Sequence, residues 1–240
     1  MGEENMEKNI KGAMRNTVWL LVILVQLVLM SCPANAIMYW TNKDGSANFF
    51  DWYNGGSDHG FFGSPALVGG NSLVFTPSNF RAESANGIPA IKSDRLEVSL
   101  LAHTGYTITG IRITEYGDYG ILGTGKVSVS GTMFAANLNA FDVHYGNFIS
   151  TPASPIATGT GEWSALVSVT DIDWTNLKIV LNNNLMAISS PNSVAFVEKK
   201  VMGAVAIELL GSGGGPQIPE PASAVIMALA GMLLALRRKR

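Results

Sequence analysis

The chain has 240 residues, 47% of them hydrophobic and only 14% charged, with a formal net charge of −2. The charge is segregated: positions 37–236 hold nine Lys or Arg against fifteen Asp or Glu, so this stretch lacks the clustered cations that a nucleic-acid surface needs. The single cysteine, Cys32, excludes an internal disulfide framework, while 26 glycines among frequent Asn, Ser and Thr suit strands joined by tight turns.

At the start of the chain, Lys8, Lys11 and Arg15 precede the apolar run TVWLLVILVQLVLM at 17–30, and Pro33, Ala34 and Ala36 follow it. A basic segment, an apolar helix and a small-residue site in this order make a secretory signal peptide. The pattern predicts removal of 1–36 by signal peptidase after Ala36, so that the mature chain begins at Ile37. Glu3 and Glu4 are unusual so early in such a segment, and initiation at Met6 or Met14 would sharpen it. Two alternatives stand beside this reading. One is an uncleaved anchor, against which Pro33 and the Ala34/Ala36 pair argue. The other is a lipoprotein signal at Leu29-Met30-Ser31-Cys32, in which Met30 fits poorly.

The next stretch, NKDGSANFFDWYNGGSDHG at 42–60, carries Asp44, Asp51 and Asp58 in a Gly- and Asn-rich setting. Calcium takes clustered oxygen ligands from loops of this kind, which makes it the one cofactor to consider; the spacing is not that of an EF-hand. The same Asp-Gly and Asn-Gly pairs form hairpin turns.

Strand signals then recur every 8–15 residues. Leu96, Val98 and Leu100 alternate with Arg95, Glu97 and Ser99, and alternation over 106–109 resumes over 111–114 with a phase shift at Gly110. An isolated glycine at a phase shift reads as a β-bulge. Further candidates are 72–76, 126–134, 141–148, 162–170, 177–181, 194–197 and 204–210. No long segment has a helical period. The expectation is an all-β domain over 37–210, an antiparallel sandwich or jelly roll of at least seven strands.

Signals for chemistry are sparse. His59, His103 and His144 lie at no metal-motif spacing, and neither a nucleophile elbow nor a P-loop is present. Asp171 and Asp173, in TDIDW, are two residues apart, but nothing marks them as the acid and base of a glycoside hydrolase; a polar strand edge or turn explains them equally. The expectation is a non-enzyme. Trp40, Trp52, Tyr53, Trp163 and Trp174 are the candidates for a sugar-stacking platform, set against the ordinary fate of such residues as core.

Residues 211–217, GSGGGPQ, read as a flexible linker. Beyond them, 218–240 reads IPEPASAVIMALAGMLLALRRKR. Pro219 and Pro221 hold the backbone extended around Glu220. The apolar run 222–236 makes a short transmembrane helix of ~22 Å, which snorkelling basic residues lengthen. Arg237, Arg238, Lys239 and Arg240 keep that end on the cytoplasmic side. These three parts in this order resemble the PEP-CTERM sorting signal of Gram-negative bacteria. The alternative is an ordinary single-pass anchor.

The resemblance implies recognition by exosortase, cleavage near 219–221, and a role in the envelope associated with exopolysaccharide. Three ectodomain stretches, LVFTPSNFRA (73–82), GYTITGIRITEYGDY (105–119) and LNNNLMAISSPNSVAFVEKK (181–200), are similar to a recurring PEP-CTERM ectodomain, which implies a secreted β-sandwich rather than an enzyme class. The expected path is export, an inner-membrane-anchored intermediate, then the outer envelope or the extracellular matrix. The expected role is structural or adhesive. The alternatives are a carbohydrate-binding module with a defined site and a polysaccharide-processing enzyme.

Overall fold

The structure, a computed structural model, describes residues 36–200 and 203–213. The signal segment up to Asn35, Ala34 included, lies outside the described residues. So does the 218–240 tail, with Pro219, Glu220, Pro221, the predicted transmembrane helix and Arg237, Arg238, Lys239 and Arg240. Among the described residues there is no helix, and hence none long and apolar enough to cross a membrane.

Fifteen strands lie among the described residues. The first six are β1 (Met38–Tyr39), β2 (Gly45–Ser46), β3 (Phe50–Ser57), β4 (Ala66–Val68), β5 (Ser72–Phe75) and β6 (Arg81–Ala85). Then come the long β7 (Ala90–Ala102), β8 (Tyr106–Leu122) and β9 (Gly125–Asn137), followed by β10 (Asp142–Asn147) and β11 (Ile149–Thr151). The last four are β12 (Thr160–Trp174), β13 (Asn176–Ser189), β14 (Val194–Lys199) and β15 (Val205–Gly213).

They form two antiparallel sheets. The seven-stranded sheet runs β1-β3-β7-β13-β9-β10, with β2 on β3. The eight-stranded sheet runs β11-β12-β8-β15-β5-β4, with β14 pairing both β6 and β8. The long β8 is shared: β12 lies along one edge, and the other edge is divided between β15 and β14.

Period-2 alternation sets the inner faces. In β13, Leu177, Ile179, Leu181, Leu185 and Ala187 are buried while Asn182 and Asn184 face solvent. In β8, Ile108, Ile111 and Ile113 enter the core from the opposite sheet. Burying each such side chain fully contributes about 1.5–3 kcal/mol. The change of phase between Ile108 and Ile111 is a true irregularity: the registers of both β12 and β15 slip opposite Ile108–Gly110.

One predicted boundary moves. β15 continues to Gly213, pairing Gly211 with Ile108 and Gly213 with Tyr106, so three residues of the expected 211–217 linker are strand. A Cβ at Gly211 would lie 2.3 Å from the Phe49 ring, and one at Gly213 2.5 Å from that of Tyr106. These glycines let aromatic rings lie against the backbone, a demand that composition does not distinguish from flexibility.

Candidate functional site

The four tryptophans of the domain are core. Trp40, Trp52, Trp163 and Trp174 are between 2% and 6% exposed, which corrects their candidacy as a sugar platform: their area is spent on packing. Trp52 Nε1 donates to the Asn42 carbonyl at 3.0 Å, Trp163 Nε1 to the Glu198 carbonyl at 3.1 Å, and Trp174 Nε1 to Asp142 Oδ2 at 3.2 Å. Trp40 packs edge-on against Phe75. Tyr53 is half-buried, its hydroxyl donating to Asn176 Oδ1 at 2.9 Å.

Asp44, Asp51 and Asp58 do not converge, which corrects the calcium reading. Asp51 and Asp58 are seven residues apart along β3 and its end, roughly 20 Å of extended chain. Each has its own partner. Asp44 accepts from Lys43 Nζ and from the Asn54 amide, Asp51 faces His103 Nε2 at 3.0 Å, and Asp58 faces Arg95 at 3.6 Å. The Lys43 hydrogen bond holds the Asp44 carboxyl below its usual range, and the Ser46 hydroxyl, then His103, does the same for Asp51. Among the described residues no group of three acidic, His or Cys side chains is placed to hold a metal. Asp171 and Asp173 sit exposed at the β12 irregularity, where Asp171 adopts a left-handed backbone (φ 61°) and accepts from Thr170 Oγ1. They are exposed strand residues at a bulge rather than opposed carboxylates.

The solvent face of the seven-stranded sheet carries what the sequence did not flag. Tyr145 of β10 stands directly opposite Phe134 of β9, and Val180 of β13 continues the row. Tyr145 is 79% exposed and Phe134 40%. One step along the strands, a polar row crosses the same face: Asn147 of β10, Thr132 of β9, Asn182 of β13 and Arg95 of β7. Asn182 Nδ2 donates to Thr132 Oγ1 at 3.3 Å. A further step brings Ser130, Asn184 and Ser93 into line. Arg95 and Lys178 both bind Glu97, at 2.7 and 3.0 Å, so the fixed charge of this face is largely compensated.

Such a face has two chemistries side by side. The aromatic rings offer flat apolar surface with a partial negative charge. The neighbouring amides and hydroxyls offer donors and acceptors without net charge. Successive same-face residues of a strand are about 7 Å apart, so the two rows lie within the span of one sugar ring or two.

No family model matches the chain, and no curated protein matches it. Among solved structures, it is similar to TmCBM61 in complex with beta-1,4-galactotriose, at 10% identity and a TM-score of 0.25, over 72% of this chain and 98% of that one. It is also similar to the CBM22-1 xylan-binding domain from Paenibacillus barcinonensis Xyn10C, at 12% identity and a TM-score of 0.21, over 57% of this chain and 92% of that one. A third similarity is to the enzymatically active domain of bacteriophage CBA120 tailspike protein 4, at 8% identity and a TM-score of 0.21, over 54% of this chain and 19% of that one. Likenesses this faint assign no function.

Proposed function

We propose that this chain is an exported, non-catalytic β-sandwich that holds a neutral polysaccharide on the exposed face of its seven-stranded sheet, and so serves as an adhesive component of the cell envelope or matrix. One observation carries the reading: the exposed pair Tyr145 and Phe134 lies beside the aligned polar row Asn147, Thr132, Asn182 and Arg95. A pyranose presents an apolar C–H face and a rim of hydroxyls. Stacking on the rings takes the first, and the amide and hydroxyl row takes the second. The compensated charge of the face and the acidic balance of the domain favour an uncharged glycan over a polyanionic one. In this reading signal peptidase releases the domain at Ala36, the 222–236 helix holds a membrane intermediate, and exosortase acts at Pro219-Glu220-Pro221; the sequence pattern of the two ends supports that path.

The test is affinity electrophoresis of the protein through gels containing neutral polysaccharides. The wild type is expected to be retarded by at least one of them. Tyr145→Ala and Phe134→Ala should each weaken retardation about tenfold, the worth of one good stack. Leu166→Ala, on the outer face of the other sheet, should not. Equal retardation of all three variants would place binding elsewhere, and no retardation in any gel would leave a purely structural role.

A further inference from the structure

Three polar side chains that the glycan face does not use meet in the middle of the core. Glu115 comes from β8 in the eight-stranded sheet, Lys199 ends β14 in the same sheet, and Asn183 reaches across from β13 in the other. Lys199 Nζ donates to Glu115 Oε2 at 2.5 Å, and both side chains are wholly buried. Asn183 Nδ2 donates to Glu115 Oε1 at 2.6 Å, and Asn183 is 1% exposed. Asn183 Oδ1 has no hydrogen-bond partner among the described residues. The rings of Phe80, Trp163 and Phe62 surround the Lys199 Nζ at 5.2, 5.3 and 5.8 Å.

This arrangement is costly as simple packing. A buried ion pair is seldom more stable than apolar residues of the same shape, and an orphaned carboxamide oxygen adds a further penalty. It is well suited to chemistry. An amine and a carboxamide are held against the two oxygens of one carboxyl group, in a pocket walled by aromatic rings and shut off from water. Burial lowers the pKa of the Lys199 amine, against the opposing pull of Glu115, and so favours its nucleophilic neutral form.

We propose that Lys199 and Asn183 form an intramolecular isopeptide bond, with Glu115 as the proton relay. Glu115 takes a proton from the Lys199 ammonium, leaving Nζ with a free lone pair. The acid proton then faces the Asn183 carboxamide; a half-turn about Cβ–Cγ brings the orphaned Oδ1 to it, which polarises the carbonyl. Nζ attacks Asn183 Cγ and the new C–N bond forms. Glu115 passes a proton to the departing nitrogen, the old Cγ–N bond breaks, and ammonia leaves. An ammonium and a carboxamide become one secondary amide, ammonia and a proton, with no oxidant or cofactor. Proximity supplies the drive, since both reactants are held by the fold, and exclusion of water suppresses competing hydrolysis of the carboxamide.

Peptide mapping of the purified full chain tests this directly, because both residues fall in one tryptic fragment. Without the bond, trypsin cuts after Lys178 and Lys199 and releases 179–199 at its sequence mass. With it, the acylated Lys199 resists cleavage. The fragment is then 179–200, lighter by one ammonia, and it yields no backbone fragments between positions 183 and 199. Glu115→Gln should return the linear 179–199. In case that variant does not fold, Asn183→Asp gives a second reading: its bond forms with loss of water instead of ammonia, and the linked fragment has the same mass as the wild type's. A linear, unmodified 179–199 from the wild type after prolonged incubation overturns the proposal and leaves a buried ion pair only. Linkage that persists in folded Glu115→Gln overturns the relay role.

Discussion

Trp163 lies across the bare backbone of Gly117, its partner on the neighbouring strand. A Cβ at Gly117 would fall 2.4 Å from the indole Cε2 and Nε1 and 2.0 Å from the Glu198 carbonyl oxygen, the same oxygen that accepts the indole N–H. No flexible side-chain end can yield there. Gly117→Ala is therefore expected to cost about 2–3 kcal/mol through overpacking. At about 2–4 °C per kcal/mol for a domain of this size, a thermal melt should show a fall of roughly 4–12 °C. An unchanged melt would show that the indole can move aside.

The pH dependence of stability should carry a signature of Glu208. This β15 carboxylate is buried, Arg112 lies 3.4 Å away, and its Oε1 has no partner among the described residues. Burial pushes its pKa above the ordinary 4.5, with Arg112 pulling the other way. The folded state then holds the proton more tightly than the unfolded state does. The contribution is fully present below about pH 4.5 and is lost as pH rises through the folded-state value. Urea unfolding of wild type and Glu208→Gln across pH 4 to 8 should show the variant gaining relative stability as pH rises. A difference that stays flat with pH contradicts this.

Tryptophan emission separates the two places where a sugar could stack. With Trp40, Trp52, Trp163 and Trp174 all in the core, iodide should quench the domain's fluorescence only weakly. Saturating polysaccharide should leave the emission maximum unshifted, because the proposed site carries Tyr145 and Phe134 and no indole. A ligand-induced shift would restore the tryptophans as the platform.

Within the polar row, Asn182→Ala should weaken polysaccharide binding by about 1 kcal/mol, or roughly fivefold, the net worth of one hydrogen bond. It should leave the melting temperature unchanged, since Asn182 is exposed. Isothermal titration beside a melt checks both. A loss of stability equal to the loss of binding would make the residue structural.

For the tail, replacing Pro219 or Glu220 is expected to leave the protein uncut and retained in membranes of a host with exosortase. Replacing Arg237, Arg238, Lys239 and Arg240 together should disturb orientation instead. Fractionation and mass analysis distinguish these outcomes. A wild-type tail that stays intact through Arg240 in hosts with and without the protease makes it a plain anchor.

Much of the fold was legible because alternation is local. The runs at 72–76, 95–100, 106–114 and 177–181 show their period within a few residues, and Gly110 marks its own irregularity. The first third was less legible: β3 carries Asn54, Gly55 and Gly56 through its register shift, which breaks the pattern and reads as turns. The proposed binding face was not legible at all. Tyr145 and Phe134 are joined only by the register of the β9–β10 hairpin, and size misdirected attention to the tryptophans, which the core takes first. The Glu115–Lys199–Asn183 group spans three strands and two sheets, with 84 positions between Lys199 and Glu115 and 68 between Asn183 and Glu115. No spacing rule reaches that far.

The position of β15 has a mechanical consequence. It lies inside the eight-stranded sheet, hydrogen-bonded to β8 along one edge and to β5 along the other. A force applied at Gly213 along the strand axis makes its neighbours slide past in shear, with many backbone hydrogen bonds loaded at once. β1, at the rim of the other sheet, is paired through two residues and can peel away bond by bond. A load taken up at Gly213 is therefore expected to meet more resistance than one taken up at Met38.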